Sequence, residues 1–184
     1  MFDVKLVLIV VVLSTYFFLA AAAGPQQAPF HPSPPPGRSG IQILKEVEQE
    51  VFRLTNEVRR QQGLPPLAPD QALSGAARQH SADMLARRYF SHVTPEGQTL
   101  INRLPPGYAP VISSFGENIW LGSGQDLRSS RLLAQTIMQG LMASPGHREN
   151  ILNPRYTHLG VGVAAGGRET RATQLFVQKS PQVR

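Results

Sequence analysis

The chain contains no cysteine in its 184 residues. That excludes a disulfide framework, a thiol nucleophile and any thiolate metal site. A domain without bridges must be held by packing, and this chain is long enough to bury a core that does so. No Ser or Thr stands in a recognisable nucleophile elbow, and no His-Glu-x-x-His helix motif is present. No internal repeat is visible. Acidic residues are few, 12 against 18 Lys and Arg, for a net charge of +6. The basic residues are scattered rather than blocked together with aromatics. That argues against nucleic-acid binding and suits weak attraction to anionic lipids or acidic cell-wall polymers.

What is present begins with an apolar N-terminus. After Lys5 the sequence is almost unbroken apolar to Ala23, and it ends Ala20-Ala21-Ala22-Ala23-Gly24, small residues of the kind a signal peptidase accepts. Residues 1–23 read as a secretory signal. The alternative is an uncleaved membrane anchor through residues 6–23, a run near the ~18-residue minimum for a span. Residues 24–40 carry prolines at 25, 29, 32, 34, 35 and 36. Proline fixes φ and donates no backbone hydrogen bond, so this tract reads as an extended linker. The globular domain is then 41–184. Export without cysteine points to a bacterial extracytoplasmic protein.

Within the domain, apolar residues at Ile43/Leu44, Val47, Val51, Leu54 and Val58 predict an amphipathic helix over 41–62, stopped by Gly63 and Pro65-Pro66. A second helix opens at Pro69-Asp70 and runs to about Tyr89. The stretch 91–110 reads as loop with a short helix near Thr99–Leu104. Gly116 to Leu121 is a short strand and Leu127 to Met142 a third main helix. Ser144 is placed as N-cap of a further helix with Pro145 behind it, which puts His147 in the first turn. His158–Ala164 and Ala172–Gln178 are strand-like, joined through Gly166-Gly167 as an antiparallel pair. Helices early and strands late predict an α+β fold: an α-β-α sandwich with a small central antiparallel sheet flanked by helices.

Three polar residues at sharp turns stand out: His92 after Phe90-Ser91, Glu117 between Gly116 and Asn118, and His147 in Ser144-Pro145-Gly146-His147-Arg148. Two imidazoles and a carboxylate with an open position are a known zinc-site composition, but they are distant in sequence and spacing alone does not make them converge.

In their order, these motifs resemble the CAP superfamily of cysteine-rich secretory, antigen 5 and pathogenesis-related proteins, and its bacterial secreted members in particular. The matching residues are Asn56, Arg59, His92, Glu117, Asn118, His147, Arg148, Asn150, Gly160, Gly162, Gln174 and Phe176. The resemblance implies that His92 and His147 line a central cleft able to bind Zn2+ or another divalent cation, with Glu117 beside them as a candidate third ligand. It places Ser144 and Asn118 on the cleft wall. A second carboxylate found in many eukaryotic members falls near Ser144 here and is absent. Where the bacterial pattern favours tryptophan, this chain has Leu141.

Two functions compete. The first is a non-catalytic extracytoplasmic binding module for a lipid or a cell-surface or envelope component. The second is a zinc-dependent hydrolase or peptidase with Glu117 as general base activating a metal-bound water. A purely structural envelope role is the third possibility. Contact with a membrane is expected only through an uncleaved N-terminal segment, and the oligomeric state is left open.

Overall fold

The computed structural model describes residues 40–104 and 106–179. The expected signal and linker, 1–23 and 24–40, lie outside these apart from Gly40. The elements are β1 (Ile41–Ile43), α1 (Lys45–Gln61), β2 (Ala68–Pro69), α2 (Gln71–Ala86), α3 (Leu100–Arg103), β3 (Ile112–Ser123), α4 (Ser130–Ala143), α5 (Pro145–Leu152), β4 (His158–Gly166) and β5 (Glu169–Lys179). None of the described helices is long and apolar enough to cross a membrane.

The sheet runs β1-β4-β5-β3, antiparallel throughout, with the two-residue β2 added parallel to the start of β4. Alternation along the central strands builds two cores. Leu159, Val161, Val163 and Ala165 of β4, with Ala172 and Phe176 of β5, pack under α1, α4 and α5. Leu175 and Val177 point the other way, onto α2 with Leu73, Ala76, Ala77 and Leu100. The result is the expected α-β-α sandwich.

Local chemistry explains most boundaries. Helix α1 has Glu46 and Glu48 in its first turn and Arg59 and Arg60 in its last, matching the helix dipole. It ends before Gly63, which takes φ +70°, a conformation that glycine adopts without cost. Asp70 caps α2 by accepting from the amides of Ala72 and Leu73. Ser129 does the same for α4 through Leu132.

One expectation fails at the N-terminus. Ile41–Ile43 is not the first turn of α1 but a strand paired with Ala164–Gly166. The apolar residues at 41 and 43 fit a period of two as well as a helical period, and pairing with β4 decides. The strand at 116–121 is also longer than expected, starting at Ile112 and ending at Ser123.

Between β4 and α2 the contact is backbone on backbone. A Cβ built on Gly160 would collide with the Leu73 and Ser74 backbone, and one built on Gly162 with Ala77 and Arg78. Two missing side chains thus set the distance between sheet and helix.

The buried face of α1 is partly polar. Asn56 clamps one peptide plane, donating to the Leu67 carbonyl at 3.0 Å and accepting its amide at 2.8 Å. Arg59 is fully buried and reaches the carbonyls of Pro65, Ile151 and Asn153 at 2.8–3.1 Å. The last two close the C-terminal end of α5, so α1 fixes the helix that carries His147.

Candidate functional site: a histidine and carboxylate cleft beside an edge strand

Glu117 sits on β3, the terminal strand of the sheet among the described residues. Its side chain is only 5% exposed. His92, in the turn after α2, places Nδ1 2.7 Å from Glu117 Oε1. Arg103 of α3 donates from Nη2 to Oε2 at 2.8 Å and to Oε1 at 3.1 Å, and to the His92 carbonyl at 3.0 Å. One guanidinium therefore ties the carboxylate to the histidine turn. Sequence reasoning missed Arg103, because a lone arginine in a loop-rich stretch has no spacing partner to mark it.

His147 lies in the first turn of α5, held from below. Asn118 donates from Nδ2 to the His147 carbonyl at 3.0 Å and to Gln174 Oε1 at 3.0 Å, while Asn150 donates to Asn118 Oδ1 at 2.9 Å. Gln174 continues to Thr55 Oγ1 at 2.9 Å. This buried chain links α1, β5, β3 and α5 beneath the cleft, and buried amides satisfied in this way rigidify what they hold.

Burial lowers the pKa of His147, and a charge on nearby His92 lowers it further. Burial thus favours His147 as the neutral ring a metal requires.

The resemblance places Ser144 and Asn118 on the cleft wall, but the structure buries Asn118 completely. It acts from beneath, through His147. Ser144 is half-buried at the N-cap position of α5, with no side-chain capping hydrogen bond. Among the described residues no group of three or more His, Asp and Glu is gathered as a metal cage.

Beside the dyad lies an apolar recess of about 400 Å3, lined by His92, Val93, Leu100, Ile101, Phe115 and Glu117 among others. Val93, Ile101 and Phe115 are 41%, 38% and 47% exposed. Large apolar side chains grouped at a surface mark a binding site more often than scattered ones do.

His80, on α2, is buried and meets the Ser91 carbonyl through Nε2 at 3.1 Å. It is a packed histidine, as expected of an inward position. Burial pushes its pKa down, and Arg103 adds to the effect. His147 and His158 are shifted the same way, first by burial. For these groups the unfolded chain, with the ordinary value of 6.5, binds more protons than the folded one. Stability is therefore expected to be full above about pH 6.5 and to fall as pH drops below it. Asp70 and Asp83 add a later loss below about pH 4. Burial raises both, but Lys179 and Tyr108 at Asp70, and Arg87 and Tyr89 at Asp83, outweigh it and leave both lowered. Urea unfolding from pH 7 to pH 5 measures the first loss, and His80→Asn should flatten it.

The α-β-α sandwich, with His92 against Glu117 on its edge strand and His147 on α5, can be set beside known proteins. A family model described as the cysteine-rich secretory protein family, CAP, matches residues 52–179. The chain belongs to that family. YkwD of Bacillus subtilis is 36% identical over 132 residues, covering 72% of this chain and 47% of its own length. An extracellular Bacillus anthracis protein containing an SCP domain is 38% identical with a TM-score of 0.58, covering 73% of this chain and 41% of its own. The chain thus spans less than half the length of both. NaASP2, solved with Zn2+, shares the fold at a TM-score of 0.54 and 14% identity, over 73% of this chain and 80% of its own.

Proposed function

We propose that the chain is a non-catalytic extracytoplasmic binding module for an amphipathic lipid of the cell surface. The lipid's apolar part lies in the Val93, Ile101 and Phe115 recess and its polar head meets His92. The observation that carries this reading is the recess itself, which abuts a polar pair whose carboxylate is already committed. A general base needs a free lone pair facing water. Glu117 is only 5% exposed and is held by Arg103 on both oxygens and by His92 on Oε1, which leaves little of it to meet water and speaks against the hydrolase reading.

A divalent cation fits the same cleft in a restricted way. Glu117 accepting from His92 Nδ1 would fix the tautomer and leave Nε2 as the ligating atom, the usual partnership of a carboxylate behind a metal-binding histidine. His92 and His147 would be the protein ligands, with Glu117 orienting rather than binding. The zinc seen in NaASP2 is a property of that protein and supports this by likeness of fold.

Native mass spectrometry of the exported protein tests the lipid reading. A retained lipid-sized mass is expected, and Phe115→Ser should remove it while the fold persists. A bare chain that takes up no phospholipid or fatty acid on titration would contradict the reading.

A further inference from the structure

The outer edge of β4 can be followed group by group. β2 pairs with its start, at His158 and Leu159, and β1 with its end, at Ala164 to Gly166. Between them the sheet has no strand. Odd-numbered residues of β4 turn their backbone groups to this edge. The Leu159 carbonyl accepts from the Asp70 amide, and the Val163 carbonyl from the Leu44 amide. In the gap, side chains take the place of a strand. Ser74 Oγ accepts from the Val161 amide at 3.3 Å, and Glu48 Oε1 from the Val163 amide at 3.1 Å.

One group is left over. The Val161 carbonyl has no hydrogen-bond partner among the described residues, although Val161 is only 3% exposed. A backbone carbonyl so placed is usually paired, with protein, water or ligand. The gap is also a pocket, of about 320 Å3, lined by Lys45, Glu48 and Phe52 from α1, Ser74 and Arg78 from α2, and Val161 among others. Ser74 and Glu48 hold the amides on either side of the unpaired carbonyl, and both line the pocket. The carbonyl therefore lies in its floor.

Charge sets the second requirement. Arg78 gives Nε and Nη2 to Glu48, and leaves Nη1 unused on a side chain that is 28% exposed. Lys45 is exposed and has no ion pair among the described residues. Two cations thus stand against one carboxylate, and Arg78 already neutralises that carboxylate. The pocket calls for one N–H donor at its floor and one negative charge beside it. Simple anions supply only the charge, and neutral amides only the donor. A peptide's last residue supplies both, a backbone N–H and a carboxylate separated by one carbon.

We infer that this pocket binds the carboxylate end of a short peptide. The last amide donates to the Val161 carbonyl, as a strand in the gap would, and the carboxylate meets Lys45 and Arg78 Nη1. The chain uses the same contact on itself one step along, where Asp70 donates to Leu159. The pocket shares no lining residue with the apolar recess and does not depend on the lipid reading.

The 13C resonance of the Val161 carbonyl reads the contact directly. N-acetylalanine is titrated into the labelled full chain to about 50 mM, where binding of about 1 mM saturates. A saturable shift of that resonance is expected. Acetyl-lactate, with an ester oxygen in place of the N–H, should bind about tenfold more weakly, because the carbonyl then stays unpaired. N-acetylalanine amide should also bind more weakly, for want of the charge. Lys45→Gln, at an exposed position, should weaken N-acetylalanine binding about threefold. His92→Ala and Phe115→Ser should leave it intact, which separates this inference from the lipid reading. No shift at Val161, the result if water alone occupies the pocket, would overturn the inference. So would equal binding by acetyl-lactate, by the amide or by acetate.

Discussion

Replacing Arg103 by Leu is expected to destabilise the domain by about 3 kcal/mol, the range measured when one partner of a buried ion pair is removed. The effect is large because nothing else neutralises Glu117. The carboxylate is 5% exposed, and its remaining side-chain partner is His92 Nδ1. An exposed pair would cost a few tenths of a kcal/mol, since water replaces the lost partner; here water is excluded on both sides. The double variant Arg103→Leu with Glu117→Gln should recover a good part of the loss, because it removes the stranded charge along with its partner. Urea unfolding of the two single variants and the double variant gives this coupling directly. Equal losses in Arg103→Leu and in the double variant would mean that the pair is not the source of the effect.

Gly162→Ala is expected to cost about 3 kcal/mol, at the upper end for overpacking, and to lower Tm by roughly 10 °C. The added methyl would meet the backbone of Ala77 and Arg78 rather than a flexible side-chain end. Backbone can yield only by moving α2 away from β4 as a body, which would open the contacts of Leu73, Ala76 and Ala77 with the sheet. Gly75→Ala, on the same helix but with open space around its Cβ, is the control and should be neutral or slightly stabilising. Thermal unfolding of the pair separates close approach from helix propensity. A Tm for Gly162→Ala within a degree or two of the parent would mean that helix and sheet are not in backbone contact there.

These two predictions concern features of unequal visibility in the sequence. The Gly160 and Gly162 spacing on an apolar strand could be read as a lightened strand, but the residue it makes room for is known only once α2 is placed. Helices α1, α2 and α4 were legible because Val47 and Val51, then Leu73, Ala77 and Met84, then Leu133, Ile137 and Leu141 repeat at helical spacing. The β4–β5 hairpin was legible through Gly166-Gly167, the second of which takes φ +61°. Strand β1 was not, because three residues with two isoleucines suit either period and long-range pairing with β4 chooses between them. Buried polar residues on α1 were a further concealment. Thr55, Asn56 and Arg59 interrupt an apolar face, yet they are buried because Gln174, the Leu67 peptide and, for Arg59 Nε and Nη1, the carbonyls of Pro65 and the end of α5 accept or donate there.

The candidate site followed a similar division. His92, Glu117 and His147 could be singled out by residue type and by likeness to a family, and the structure brings His92 against Glu117 and sets His147 on α5, where Asn118 of the same strand as Glu117 holds its carbonyl. Arg103, which commits the carboxylate, and the recess of Val93, Ile101 and Phe115 could not. Neither has a motif, and both depend on how the segment after α2 returns over the edge strand. The lack of cysteine has its counterpart here too. With no disulfide available to join its elements, this chain links them with the buried run from Thr55 through Gln174 and Asn118 to Asn150.

The proposed metal site has His92 and His147 as the ligating pair, with Glu117 orienting His92 from behind. Calorimetric titration of untagged protein with Zn2+ tests it most directly, alongside His92→Ala, His147→Ala and Glu117→Gln. The account predicts one site that both histidine variants abolish and that Glu117→Gln weakens about 10- to 100-fold without abolishing it, as expected of a residue orienting a ligand. Binding that survives loss of either histidine would contradict the account, as would Glu117→Gln eliminating the site altogether.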